Sequence, residues 1–266
     1  MQEGPLIARF GRARRDPSLA VLEGFHPLKH ALRFGADVLE VVCRDIDALG
    51  ALADRLASDQ AERMRELAHA VSEETFAQLA PQPPTTGVIS LARRPEIDVA
   101  ALLADRSSGE QYPRREGPVV LLEDPRDLGN MGACVRVAAA ADAAGVLSTG
   151  SHDPWAPDAL RGAAGLHFAL AVARIEDLDA LGTSDASGAP RRPLLALDPD
   201  GEPLVPGELP SEAVLAFGTE RYGLSEDLLA RADARISIPM RAGVSSLNLA
   251  TSVAAVLFAW RLNVAN

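Results

Sequence analysis

Residues Ile238–Trp260 read IPMRAGVSSLNLATSVAAVLFAW. The second half is an apolar helical pattern. The first half places a Pro, a Gly and several small polar residues between a strand-like run, RISIPM (235–240), and that helix. A strand-to-helix turn needs one capping side chain. GVSSLN (243–248) supplies more polar groups and more backbone freedom than a turn requires, so it is read as part of a binding loop.

Upstream, PVVLLE (118–123) is a fully apolar strand and NMGACVRVAAAADAAG (130–145) an Ala-rich helix closed by Gly145. VLSTG reads as a strand, APDALRGAAG as a helix and HFALAV as a strand; RPLLALD (192–198) and AVLAFG (213–218) are further strands, and SEDLLARA is a helix. Continuous apolar strands separated by helices predict a parallel α/β sheet covered on both faces. Ligands of such sheets sit beyond the carboxyl ends of the strands. Three loops there carry unusual residues: EDPRDLGNMGACVR, FGTERYGLS and the opening stretch. Each has a purely structural alternative. Asn130 can be a helix N-cap, Gly132 a packing glycine, Arg136 a solvated cation and Glu220 a turn carboxylate. Ser245, Ser246 and Asn248 can be capping residues.

The amino-terminal half alternates strand and helix on a smaller scale. SLAVLE (18–23), DVLEVVCR (37–44) and TGVISLAR (86–93) are strands. GFHPLKHALRFG is a helix, 46–70 is helical with a break near Ser58–Asp59, and SEETFAQLA (72–80) is a short helix. Asp59 and Glu62 are spaced as a capping box. DRSSGEQYPRREGP (105–118) has no periodicity and is the linker candidate, which sets a domain boundary near 112, and TSDASGAPRR (183–192) reads as a surface loop.

The chain has 266 residues and a net charge of −11, which argues against gripping nucleic acid by overall charge. Arg9, Arg12, Arg14 and Arg15 nevertheless cluster, either as an RNA-contacting patch or as a solvated tail. No apolar run is long enough to span a membrane and the first residues lack a signal-peptide core, so no membrane partner is expected. Cys43 and Cys134 stand apart, consistent with a reducing, cytoplasmic setting. His26 and His30 lack the companions of a metal site, so no metal is expected; the Glu123–Asp124 pair suits turn duty better than Mg²⁺. Phosphate-loop, nucleophile-elbow and dinucleotide fingerprints are absent, which counts against a nucleotide-dependent reductase.

Taken together, NMGACVR, FGTERYGLS and IPMRAGVSSLNLATSVA resemble the three motifs of the SpoU/TrmH branch of the SPOUT methyltransferases, over residues 118–262 and in the right order. Val137 and Ser245 depart from the common pattern of that family, which more often has Thr or Ser and an acidic residue there. LAVLEGFHPLKHAL and VSEETFAQLA…TTGVISLAR are similar to the family's small ribosomal-protein-like RNA-binding module. The resemblance implies an RNA substrate-binding domain over 1–112, a linker at 105–117 and a methyltransferase domain with a trefoil knot over 113–266.

It also implies a homodimer and S-adenosylmethionine as donor of a methyl group to a ribose 2′-hydroxyl. The RNA would be ribosomal first and transfer RNA second; the alternative is a non-catalytic RNA-binding protein that keeps the knot. Carried over, the catalytic set is Arg136, Asn130, Glu220, Ser246 and Asn248. The cofactor set is Leu215, Phe217, Gly218, Glu220, Gly223, Ile238, Met240, Ser246, Leu247 and Asn248. RNA contacts fall to Arg9, Arg12, Arg14, Arg15, Asn130 and Arg136.

Overall fold

The computed structural model describes residues 3–104, 117–182, 191–219 and 222–264. The helices are α1 (Glu3–Ala13), α2 (Phe25–Arg33), α3 (Ile46–Leu56), α4 (Ala61–Leu67), α5 (Glu73–Gln78), α6 (Val99–Leu103), α7 (Leu128–Ala140), α8 (Pro157–Gly162), α9 (Glu226–Arg231) and α10 (Leu249–Val264). The strands are β1 (Leu19–Glu23), β2 (Val38–Cys43), β3 (Ala68–Ala70), β4 (Val88–Arg93), β5 (Val119–Leu122), β6 (Gly145–Ser148), β7 (Ala171–Arg174), β8 (Leu194–Pro203), β9 (Val214–Phe217) and β10 (Ala234–Ser237).

The chain forms two compact units. The first joins Met1–Glu96 with Trp155–Ala169; the second joins Ile97–Pro154 with Leu170–Asn266. This differs from the expected boundary near 112, and the linker assigned to 105–117 lies, but for Gly117, outside the described residues. The physical reason is the content of 155–169. Trp155, Ala159, Leu160 and Ala163 are buried, and Arg161 reaches Glu23 at 2.6 Å. Gly165 has φ +76, and a Cβ there would sit 2.5 Å from the Pro27 Cα, so only glycine lets this segment lie against α2.

In the first unit the sheet order is β1-β4-β2-β3, antiparallel except for β2 beside β3. One face buries Phe25, Leu28, Leu49 and Met64; the other buries Leu6, Phe10, Phe76 and Leu79. Leu6 and Phe10, one helical turn apart, belong to α1, so the basic opening segment is a docked helix and not a solvated tail. Its arginines are partly committed: Arg9 pairs with Glu40 and Arg14 with Glu23, both at 2.6 Å. The expected capping box also fails. Gln60 precedes α4 and makes no side-chain cap, while Asp59 accepts from Arg33 Nε at 2.9 Å. That guanidinium holds the Asp59 carboxyl down at about 2.

The second unit has the expected parallel sheet, in the order β10-β8-β9-β5-β6-β7. Val119–Leu122 of β5 is wholly buried, which explains its uninterrupted apolar run. HFALAV is less extended than expected: Leu166–Ala169 is a 3₁₀ turn and β7 starts at Ala171. α10 packs against α7, returning the chain from the β10 edge to the centre of the sheet. Among the described residues no helix is long and apolar enough to cross a membrane.

Candidate functional site

Beyond the carboxyl ends of β9 and β10, and against the middle of β8, lies a cavity closed by the segment 238–247. Phe217, Gly218, Gly223, Ile238, Met240, Ser246 and Leu247, all singled out from sequence, line it. Leu215 does not: it is buried within β9, two residues before Phe217, the first residue of that strand to reach the opening. Glu220 lies outside the described residues.

Gly218 is fixed by geometry. A Cβ there would fall 2.1 Å from the Gly223 carbonyl carbon and 2.4 Å from Leu224 N. Thr219 and Gly223 exchange main-chain hydrogen bonds of 3.2 and 2.9 Å, folding the loop back on itself, and Gly223 takes φ +67. The far end of this loop is pinned to β5: Ser225 donates its N–H and Oγ to the Glu123 carboxylate at 2.7 and 2.5 Å. Glu123 therefore serves as a structural acceptor. Among the described residues no cluster of three metal-ligating side chains occurs.

The 238–247 segment is irregular and its main chain is open. Among the described residues, the N–H and C=O groups of 238–240 and 245–247 make no backbone hydrogen bond; Val244 N to Arg241 O is the single internal one. Apolar side chains of Leu197, Phe217, Ile236, Ile238, Met240, Leu247 and Leu249 provide the walls. Such a site suits a flat heteroaromatic ring, held between apolar faces with its edge read by main-chain donors and acceptors. Leu197, Asp198 and Pro199 were not anticipated. They lie within β8, directly after the Leu194–Ala196 stretch that pairs with β9, at and just past the end of the expected RPLLALD strand, which carries no glycine.

At the other edge of the site α7 and α10 meet. α7 is capped by Asp127, whose carboxylate accepts from Asn130 N at 2.7 Å. Asn130 is therefore not the N-cap, and its side chain is engaged elsewhere: its Oδ1 accepts from Asn248 Nδ2 at 3.0 Å. Asn248 Oδ1 in turn accepts from Ala250 N and Thr251 N, at 3.0 and 3.3 Å, capping α10. Arg136 is exposed on α7 and makes no ion pair with the described residues. Six residues separate it from Asn130, roughly 120° around the helix, so the two leave α7 in different directions.

Arg9 and Arg14 belong to the first unit and are held by Glu40 and Glu23. Arg12 and Arg15 are exposed, and neither makes an ion pair among the described residues.

The model of the SpoU rRNA Methylase family matches residues 117–258. The chain is 30% identical over 244 residues to the 23S rRNA (adenosine(1067)-2′-O)-methyltransferase of Streptomyces laurentii, covering 89% of this chain and 83% of that protein. It is 24% identical to the 23S rRNA (guanosine(2553)-2′-O)-methyltransferase RlmP of Bacillus subtilis, covering 93% of this chain and 90% of that one. Among solved structures, the SpoU methyltransferase AviRb from Streptomyces viridochromogenes has a similar fold, with TM-score 0.73, 23% identity and coverage of 97% and 98%. With its parallel sheet, its glycine-bounded loops and a family match across most of the second unit, the chain belongs to the SpoU rRNA methylase family.

Proposed function

We infer that the chain is an S-adenosylmethionine-dependent methyltransferase that modifies a ribose 2′-hydroxyl in RNA, with ribosomal RNA ahead of transfer RNA. The observation that carries this reading is the cavity itself: two of the three family motifs converge on it, and the third meets it through the Asn130–Asn248 bond. The relatives named as 23S rRNA 2′-O-methyltransferases support the reaction and the RNA class, and the AdoMet-bound rRNA methyltransferase from Sinorhizobium meliloti, similar in fold at TM-score 0.72, supports the donor.

The residues present fit that donor. Its adenine matches an apolar slot whose main-chain groups at 238–240 and 245–247 make no backbone hydrogen bond among the described residues, and Gly218 keeps the wall clear of a side chain. When bound, the donor supplies a methyl group on a positively charged sulfur. The protein must place a ribose oxygen in line with it and stabilise the charge that develops as the hydroxyl loses its proton. Arg136 suits the second task. A guanidinium does not give up its proton in proteins, so it acts as a fixed cation beside the developing alkoxide or a neighbouring phosphate, not as a base. Asn130 positions the nucleotide. Ser246 contacts the donor from the cavity wall. Glu220 is assigned to orient the second motif loop.

The same reading places a trefoil knot in the second unit. β10 lies at the sheet edge beyond β8, while α10 returns to α7, so the segment 238–248 has to cross back past the ends of β8 and β9. A homodimer is part of the reading, supported by large apolar side chains exposed on α10: Phe258 and Leu262, one turn apart, are 39% and 65% exposed. The first unit is assigned to RNA binding through Arg12 and Arg15, with Arg9 and Arg14 now given to structure. The setting is cytoplasmic.

Purified protein, radiolabelled S-adenosylmethionine and ribosomal RNA should give labelled RNA whose label maps to 2′-O-methylated nucleotides. Donor binding without transfer to any RNA would favour the non-catalytic alternative.

A further inference from the structure

We propose that Asp198 is a specificity-determining residue that reads charge: it favours the cationic methyl donor over the neutral product left after transfer. The proposal rests on the methyltransferase reading of the cavity and gives one of its walls an electrostatic task.

Among the described residues that line the cavity, Asp198 is the only charged one. Leu197, Phe217, Ile236, Ile238 and Leu249 line it as well, and the Asp198 side chain is only 14% exposed. A charge set among apolar walls is felt more strongly than one in water, because little solvent is there to screen it. The carboxylate needs no vacant hydrogen-bonding position for this, since charge acts through space.

The strand around Asp198 fixes its place. Ala196 pairs with Arg235 and Glu202 with Ile236, so residues 197–201 bulge out of the β8–β10 ladder. Asp198 Oδ1 accepts from Asp200 N at 3.0 Å and closes the bulge as an Asx turn. The far side is pressed onto β10: Ser237 Oγ donates to Gly201 O at 2.9 Å, and a Cβ on Gly201 would fall 2.6 Å from Ile236 N. Arg235 offsets the charge only in part. Its Nη1 lies 3.5 Å from Asp198 Oδ2, but its side chain is 49% exposed and screened by water. Asp200 and Glu202, exposed on the same strand, add negative charge. Arg241, on the segment that closes the cavity, is exposed and does not line it.

The donor carries a sulfonium and an ammonium against one carboxylate, so it bears net positive charge. Transfer breaks the sulfur–methyl bond and forms an oxygen–methyl bond. The electron pair of the broken bond stays on sulfur, and the hydroxyl proton passes to solvent. The product left in the cavity has no net charge. A carboxylate in the wall therefore holds the ligand more tightly before transfer than after it, which favours exchange of product for fresh donor.

Calorimetric titration of the purified protein with S-adenosylmethionine and with S-adenosylhomocysteine, without RNA, reads this preference. Asp198→Asn keeps an oxygen to accept from Asp200 N but loses the charge. Its donor affinity should fall roughly 10-fold, the scale of one charge–charge interaction at a partly shielded site. Its product affinity should change by less than about twofold. Arg235→Gln removes the opposing cation and should widen the donor's advantage about two- to threefold.

An equal loss of both ligands in Asp198→Asn would make Asp198 a contact common to donor and product, and an unchanged ratio would mean its charge is not felt; either overturns the proposal. So does a donor advantage that stays put or narrows in Arg235→Gln, a result independent of whether Asp198→Asn folds. Wild-type protein that binds neither ligand sinks the donor reading and this proposal together. Binding of both, with a ratio indifferent to residues 198 and 235, sinks this proposal alone.

Discussion

The two units use their polar groups in opposite ways. In the first, charges close on one another. Glu23, nearly buried, takes Arg14 and Arg161 at 2.6 Å each; Glu40 takes Arg9; Arg44 meets Glu73 at 3.2 Å. In the second, the groups that matter are open: among the described residues, the main chain of 238–240 and 245–247 makes no backbone hydrogen bond and Arg136 makes no ion pair. A closed charge holds a structure together and is lost to binding. An open one adds nothing to the fold and is available for chemistry. Substitutions in the two units should therefore separate activity from stability.

The largest separation is expected at Arg136. Arg136→Ala removes no ion pair with a described residue, so its melting temperature should stay near the wild-type value. Transfer to RNA should fall about 10³-fold, or about 4 kcal/mol of transition-state stabilisation, as for loss of one preorganised electrostatic group. Donor binding by calorimetry should be nearly unchanged. A large drop in melting temperature would place Arg136 with the closed charges and erase the contrast.

The converse is Glu23→Ala. It leaves two guanidinium groups facing a buried site without their carboxylate, which costs about 3 kcal/mol. Denaturant unfolding should show that loss. Once the protein is folded, turnover at saturating RNA should be close to wild type. An activity loss without a stability loss would show Glu23 to be more than a structural anchor.

Most of the second unit was legible in the sequence because its physics is local and repetitive. A run such as Val119–Leu122 can only be a strand buried on both faces, and glycines at strand ends mark where a backbone or ligand comes close. Seven of the cavity-lining residues were found this way or through the family motifs. What could not be read depends on partners distant in the chain. Arg9 and Arg12 look equivalent in sequence; only the fold brings Glu40 to one of them. The segment 155–169 reads as one more helix of the parallel domain, yet belongs to the first unit because Arg161 and Gly165 find Glu23 and Pro27 there. Leu215 has the composition of a ring-stacking residue and the wrong register.

A smaller effect tests the arginines of α1. Replacing Arg12 and Arg15 together by Ala should weaken RNA binding several-fold, about 1 kcal/mol, and lower its salt dependence by roughly two counterions. The melting temperature should not move. Replacing Arg9 and Arg14 should do the reverse, lowering stability with little change in the salt slope. If both pairs alter RNA binding equally, the ion pairs with Glu40 and Glu23 open when RNA arrives, and the boundary between closed and open charge is softer than the unbound structure implies.

The smallest effect sharpens the closed side of the comparison. His30 donates Nδ1–H to Ala164 O at 2.7 Å within the first unit. Burial lowers its proton affinity below the usual 6.5, and this outweighs the opposing influence of that carbonyl. The folded state therefore binds the proton less readily than the unfolded chain. As pH falls through 6.5 the unfolded state takes up a proton first, and stability begins to drop; it continues to drop until the folded-state value is passed. Above that window the contribution is fully present. His30→Gln keeps a donor for Ala164 but cannot titrate, so its unfolding free energy should decline less steeply on the acid side. Parallel curves for the two proteins would mean that the imidazole turns out to solvent when it is charged. The contact with Ala164 would then be one the first unit can release at no cost, unlike the arginine–carboxylate pairs around it.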